Sequence, residues 1–176
     1  ELNVLVDKLK KQIKTLKDEN IKMADKHEEL EQYGRRNCLR IDGVETKDGL
    51  EKPEEVRQKV LDFFKSDVEN DIDLDVPEII VDRAHRIGKV LSPRNNESGP
   101  TTQSIIVKFT TFRHRSMVYY ERKGLRKKFG IKVKLDLTQS RYKIYQNAIS
   151  LVEKNSNVKY VYADINCRLK VKFSDN

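Results

Sequence analysis

Apolar residues recur at a seven-residue spacing along the first 34 residues of the chain. Including the polar residues that take the same positions, the two alternating series are Leu2, Leu9, Leu16, Met23 and Leu30, and Val6, Ile13, Asn20 and His27. Spacings of four and three residues keep one seam of a helix against a partner helix, so we expect residues 1–35 to form an oligomerising coiled coil. Asn20 would fix the register of that seam. We interpret His27 as a sign that the seam packs less tightly toward its end. The alternative is that His27 binds a metal or senses pH.

A different pattern covers residues 36–136, where short alternating runs flank two longer helical runs. Strands are predicted over residues 38–44, 79–87, 105–109 and 131–135, and helices over residues 53–67 and 112–128. Pro53 suits the first turn of a helix, and alternation of apolar and polar residues marks the strands. The stretch SPRNNESGPTT is rich in turn-forming residues and is predicted to be a loop. The order βαββαβ is the ferredoxin-like pattern of RNA-recognition domains.

Residues 137–176 carry one more helical pattern and a hairpin pattern. Thr138 is expected to cap the helix, and strands are predicted over residues 158–163 and 168–173. Since about 40 residues enclose little core, this unit should pack on the preceding domain or on a neighbouring chain. The predicted fold class is therefore α+β. It comprises a coiled-coil helix, a ferredoxin-like βαββαβ RNA-recognition domain and a small C-terminal α+β domain of a helix plus a β-hairpin.

Charge divides the globular part of the chain sharply. Residues 108–134 contain ten Lys or Arg and one acid, whereas residues 42–82 contain fourteen acids and five bases. A basic segment in a chain of net charge +8 points to a negatively charged partner. No apolar run approaches the roughly 18 residues that span a bilayer, so nucleic acid is favoured over a membrane. Because the chain begins with Glu1, we expect it to be part of a longer protein.

The predicted sheet lacks the exposed rings on which RNA-recognition domains usually stack bases. Arg40 takes the place of the stacking ring in the first strand. In the third strand, alternation turns Val107 and Phe109 to the core and leaves Ile106 and Lys108 facing outward. We therefore expect contacts directed mainly at phosphates, with weak sequence specificity. The alternative is a sheet face that is simply solvated.

Four motifs follow one another along the chain, namely YGRRNCLRIDGV, DRAHRIG, IIVKF and a helix that opens with DLT. In this order they resemble the first-open-reading-frame proteins of LINE-type retrotransposons, over nearly the whole chain. The resemblance implies a coiled-coil homotrimer with atypical RNA-recognition domains and small C-terminal domains. Such proteins coat single-stranded RNA and act as nucleic-acid chaperones during retrotransposition. We accordingly expect a cytoplasmic ribonucleoprotein, with the nucleus as a second location and DNA as a second ligand.

The resemblance assigns nucleic-acid contacts to basic residues near the end of the coiled coil, on the sheet and in the helices. They are Arg35, Arg36, Arg40, Arg83, Arg86, Lys108, Arg113, Arg115 and Arg141. For Arg83 and Arg86 the alternative is an ion pair with the acid-rich segment. The other basic residues of the second helix, together with Arg168, Lys170 and Lys172, are equally well interpreted as solvated side chains.

The chain carries no recognisable catalytic motif. Its three histidines lack the spacing of a metal site or a catalytic triad, and no glycine-rich phosphate loop occurs. The alternating acids of DIDLD lack the glycine and distant glutamate of a calcium loop, so we interpret them as an acidic turn. Cys38 and Cys167 are expected to be buried, reduced thiols. We expect no enzyme activity, metal or cofactor. The alternative function is a coiled-coil scaffold module whose ferredoxin-like domain binds protein.

Removing the coiled coil tests the oligomerisation prediction. The intact chain should have the mass of a trimer in light scattering, with a dimer as the alternative because leucine and β-branched seam residues also suit two strands. A chain that begins at Asn37 should be a monomer, since its seam is deleted. Equal numbers of copies in the two proteins would contradict the prediction.

Overall fold

A long N-terminal helix, a four-stranded antiparallel sheet and a two-stranded sheet confirm the α+β class. The computed structural model describes residues 1–46, 50–64, 81–92, 99–152, 154 and 157–174. Its helices are α1 (Leu2–Gly34), α2 (Pro53–Asp62), α3 (Phe112–Tyr120), α4 (Arg122–Phe129) and α5 (Gln139–Val152). Its strands are β1 (Cys38–Asp42), β2 (Val81–Leu91), β3 (Thr102–Phe109), β4 (Lys132–Leu135), β5 (Val158–Ala163) and β6 (Leu169–Phe173). None of the described helices is both long and apolar enough to cross a membrane.

The larger sheet has the strand order β2-β3-β1-β4, and β5 pairs with β6 in the smaller sheet. One face of the larger sheet packs against α2, α3 and α4, because alternate residues of each strand are apolar. Leu39, Val107 and Phe109 are fully buried there, beside Val56 of α2 and Val118 of α3. This side of the sheet therefore forms the hydrophobic core, as the alternation in β1 and β3 predicted.

The chain departs from the predicted elements at several boundaries. The helix predicted over residues 112–128 is broken into α3 and α4 at Glu121, whose φ of −79° and ψ of 4° lie outside the helical region. Arg122 there donates to the carbonyl group of Tyr119 at 2.9 Å. Strand β1 ends at Asp42 because Gly43 has a φ of +90°, which favours glycine. Strand β2 runs on to Leu91.

Some predicted features lie outside the described residues. They are the end of the first predicted helix (65–67), the DIDLD turn (71–75), the first two residues of the second strand (79–80) and the middle of the polar loop (93–98).

An ion pair between Arg86 of β2 and Glu51 ties the segment before α2 to the sheet. A terminal nitrogen of Arg86 lies 2.6 Å from a carboxylate oxygen of Glu51, and the Arg86 side chain is 4% exposed. Burial favours a higher pKa for Glu51, but hydrogen bonds from Lys59, Thr46 and Arg86 outweigh it and lower the pKa to about 2. The carboxylate is therefore held ionised beside a buried guanidinium group.

Substitution of Glu51 tests this ion pair. Glu51→Gln should lower the free energy of unfolding at neutral pH by about 1–3 kcal/mol, because the buried guanidinium loses its carboxylate. The folded-state pKa lies below the usual 4.5, so the stabilisation is complete above that pH and is lost as the pH falls toward 2. Urea unfolding should therefore show the difference between the two proteins shrinking over that interval.

The control for this substitution is Glu54→Gln, which alters an ion pair with Arg57 whose glutamate side chain is 77% exposed. It should change the free energy of unfolding by less than about 0.5 kcal/mol. A Glu51→Gln difference that stays constant down to pH 2 would contradict the assignment.

Candidate nucleic-acid interface

One face of the larger sheet is turned away from the core and carries most of its basic side chains. Because opposed residues of paired strands share a face, the register places on it Cys38, Arg40, Asp42, Arg83, His85, Ile87, Ser104, Ile106, Lys108, Lys132 and Lys134. We call this surface the outer face. No Phe, Tyr or Trp occurs among these described residues, in agreement with the sequence prediction for β1 and β3.

Arg40 lies at the centre of the outer face. It is opposite Ile106 on β3 and opposite Lys134 on β4. Its Nε atom is buried, and no acceptor among the described residues meets it. Because a buried donor without a partner costs about 1–3 kcal/mol, a small shift of the Arg40 side chain that brings this N–H group to an anionic oxygen would be favoured.

Two carboxylates moderate the positive charge of the outer face. Asp42 pairs with Lys134, and Asp82 lies 3.0 Å from Lys108. Burial favours a higher pKa for Asp42, but hydrogen bonds from Lys134 and Ser104 outweigh it and lower the pKa. Both pairs are partly exposed, and such pairs contribute little to stability, so a phosphate can compete for either lysine.

Arg83 and Arg86 lie on opposite faces of β2. Arg83 is exposed on the outer face opposite Lys108, whereas Arg86 is opposite Ile105 and pairs with Glu51 on the core side. Residues three apart in a strand have opposite parity, so alternation alone separates the two arginines. The structure thus leaves Arg83 as a candidate contact and corrects the assignment of Arg86, whose guanidinium group is inside the protein.

Arg115 also lies inside the protein, which corrects its assignment as a surface contact. Its side chain is 0% exposed, its Nη1 donates to the Ile165 carbonyl group at 2.9 Å, and its Nη2 lies 3.8 Å from Cys167 Sγ. Desolvation lowers the pKa of Arg115, while Cys167 and Tyr119 partly oppose that shift. Residues two apart in a helix point about 200° apart, so Arg113 is exposed when Arg115 is buried.

Residues 28–36, the last turns of α1 and the two residues that follow it, are called the stalk foot, and they dock onto the segment between β4 and α5. Gln32 is 4% exposed. Its Nε2 donates to the Asp136 carbonyl group at 3.0 Å, and its Oε1 accepts from the Thr138 N–H at 2.9 Å. Glu28 accepts from the Thr138 hydroxyl at 2.6 Å. One side chain therefore satisfies two buried backbone groups 104 or more residues away in the sequence.

Arg35 and Arg141 are held by carboxylates at the stalk foot. Arg35 lies 3.3 Å from Asp136 and 2.8 Å from Glu31, and Arg141 lies 3.0 Å from Glu28. Burial raises the pKa of Asp136, although Arg35 opposes the shift. Both arginines are partly exposed, so each can share its donors between a carboxylate and a bound phosphate.

The two-stranded sheet carries a surface that the sequence analysis missed. Tyr160 is opposite Lys172, and Tyr162 is opposite Lys170, so all four side chains share one face, called here the tyrosine–lysine face. The tyrosine ring centroids are 5.7 Å apart and the two residues are 44% and 41% exposed. Exposed rings beside cations suit single-stranded nucleic acid, because bases stack while phosphates pair with charge. The alternation in VKYVYA was the signal that predicts this face.

The structure therefore brings together only part of the predicted set. Arg40, Arg83 and Lys108 share the outer face, while Arg36 and Arg113 are exposed elsewhere.

No group of His, Cys, Asp or Glu within the described segments is arranged to hold a metal ion. Both cysteines are buried and free.

No protein-family model matches this chain, and no curated protein matches it. The resemblance to LINE-type proteins thus stays a prediction, and the interface rests on the geometry of its own residues.

Gln32 gives a direct test of the docked stalk foot. Gln32→Ala should lower the free energy of unfolding by about 1–3 kcal/mol, since it leaves a buried carbonyl and a buried N–H group without partners. Gln58→Ala removes only an exposed hydrogen bond to Asp62 and should change it by less than about 0.5 kcal/mol. Urea unfolding measures both, and equal effects would argue against the docking.

Proposed function

We propose that this chain binds single-stranded RNA, coats it as a homo-oligomer and acts as a nucleic-acid chaperone of a LINE-type retrotransposon. The observation that carries the proposal is the outer face, where Arg40, with an unpartnered Nε, lies among Arg83, Lys108 and Lys134. A surface with clustered cations and no stacking ring suits the phosphate backbone better than the base edges. Binding is the proposed activity, and no catalytic step is proposed.

The strand order supports a ferredoxin-like arrangement of the larger sheet. Strands β1 and β3 are central and β2 and β4 lie at the edges, with all neighbours antiparallel. Helix α2 connects β1 to β2, and α3 and α4 connect β3 to β4. RNA-recognition domains of this type bind single strands on the sheet face away from the helices, which here is the outer face.

Helix α1 supports the oligomeric part of the proposal. It is 33 residues long, and Leu2, Leu16 and Leu30 of its seam are 75%, 64% and 71% exposed. Association of several copies would cover this apolar stripe in a coiled coil. We propose three copies, which would place three outer faces around one stalk.

Several weak sites on one stalk also account for chaperone action. Each site releases and rebinds phosphates quickly, while the linked sites raise the effective concentration and keep the protein on the strand. Weak base readout allows paired strands to open and anneal again without losing the protein.

Arg40 provides the test of the outer face. Arg40→Ala should weaken binding to a fluorescent single-stranded RNA about tenfold at low salt and reduce the salt slope of log affinity by about 0.7, the contribution of one phosphate. Fluorescence anisotropy across a salt series measures both quantities. Lys10→Ala, which removes a cation that is 73% exposed on α1, is the control and should leave both unchanged.

The scaffold alternative gives a different result in the same titration. A protein that only assembles through α1 would fail to bind the RNA even at low salt, and that outcome would overturn the proposal. If Arg40→Ala leaves the salt slope unchanged, Arg40 contacts no phosphate, and the outer face is not part of the binding surface.

A further inference from the structure

An exposed aromatic ring lies at the stalk foot, close to the outer face. Tyr33 is in the last turn of α1 and is 63% exposed. The guanidinium carbon of Arg36 lies 3.8 Å from the centroid of the Tyr33 ring. This short separation places the guanidinium group over one face of the ring, as in a stacked cation–π pair.

The backbone holds this pair in a defined position. The Arg36 N–H group donates to the Tyr33 carbonyl at 3.1 Å, and the Arg35 N–H group donates to the Gln32 carbonyl at 3.1 Å. Gln32 is itself anchored to Asp136 and Thr138. The pair therefore sits on an ordered turn rather than on a free helix end.

The ring lies on the same side of α1 as Lys26, Glu29 and Leu30, on an open surface of the helix. Leu30 belongs to the apolar seam of α1, and the charges of Lys26 and Glu29 oppose each other, so the exposed Tyr33 ring is the feature that offers a stacking plane here. Arg36 makes no ion pair within the described residues. A base can therefore stack on the ring or on the guanidinium plane, while the charge of Arg36 remains available to a phosphate of the same strand.

We propose that Tyr33 and Arg36 form a stacking site for one base of a bound single strand, and this inference rests on the proposed function. Arg36 is two residues from Cys38 of the outer face, a span of at most about 7 Å. A strand whose phosphates lie on the outer face can therefore place an adjacent base on the pair. The outer face has no Phe, Tyr or Trp among its residues and so offers no ring for a base. The Tyr33–Arg36 pair supplies that contact.

Comparison of a base-containing strand with an abasic strand tests the site. The intact chain is titrated by anisotropy with a fluorescein-labelled oligouridylate and with an abasic oligonucleotide of the same length. Tyr33→Ala should weaken binding to oligouridylate about 5- to 100-fold and leave binding to the abasic strand and the salt slope unchanged. Tyr33→Phe keeps the ring and should bind like the parent protein. Arg36→Lys keeps the charge but loses the planar group, so it should weaken binding to oligouridylate and leave binding to the abasic strand unchanged.

Tyr120→Ala is the matched control, because Tyr120 is also 63% exposed but lies at the end of α3. It should leave the ratio of the two affinities unchanged. An equal loss on both strands in Tyr33→Ala would overturn the inference and leave the proposed function standing. A changed oligomer mass in light scattering would also overturn it, since Tyr33 would then belong to the seam. Failure of the parent protein to bind either strand would refute the proposed function itself.

Discussion

The buried amide of Gln32 is the contact on which the relative placement of the stalk, the sheet and the C-terminal helix depends. Its two hydrogen bonds satisfy backbone groups of Asp136 and Thr138, directly after β4 and directly before α5. A buried backbone group without a partner is costly, so this segment can be buried only while α1 lies against it. Glu28 and Arg35 extend the same contact through Thr138, Arg141 and Asp136. The stalk foot thus acts as a structural element of the globular part, and it sets where Tyr33 and Arg36 face.

Arginine serves two opposite purposes in this chain. Arg86 and Arg115 are buried. Arg86 donates to the carbonyl groups of Val44 and Gln103 and pairs with the Glu51 carboxylate, whereas Arg115 donates to one carbonyl group, that of Ile165, and lies beside the Cys167 thiol. Arg83 and Arg113 are exposed and leave their charge to solvent. Because the guanidinium group carries several donors in a fixed plane, it can close an internal network or bind a phosphate. Burial and the nearest acceptor decide which purpose applies.

Three surfaces suit the proposed single-stranded ligand, one through contacts to phosphates and two through rings that can stack on bases. The outer face offers cations and an unpartnered donor for phosphates. The tyrosine–lysine face and the Tyr33–Arg36 pair offer rings beside positive charge. A single strand exposes both its backbone and its bases, so it can use all three, whereas a stacked duplex hides its base faces. Asp42, Asp82 and Glu28 pair with Lys134, Lys108 and Arg141, so they would compete with a phosphate and weaken each contact, as the proposed exchange along a strand requires.

Local periodicity in the sequence by itself determined where most helices and strands lie, the apolar stripe of α1 and the outward direction of Ile106 and Lys108, because each depends on neighbours a few residues apart. It did not determine the break at Glu121. Strict use of the same periodicity also separates Arg83 from Arg86 and reveals the face shared by Tyr160 and Tyr162. Only the tertiary structure decided which acceptor meets each buried guanidinium or amide donor. Arg86 finds Glu51 across 35 residues, Arg115 finds Ile165 across 50 and Gln32 finds Asp136 across 104. Such pairs form when the packing of the sheet brings distant segments together. No pattern of residues along the chain shows which of these segments will meet.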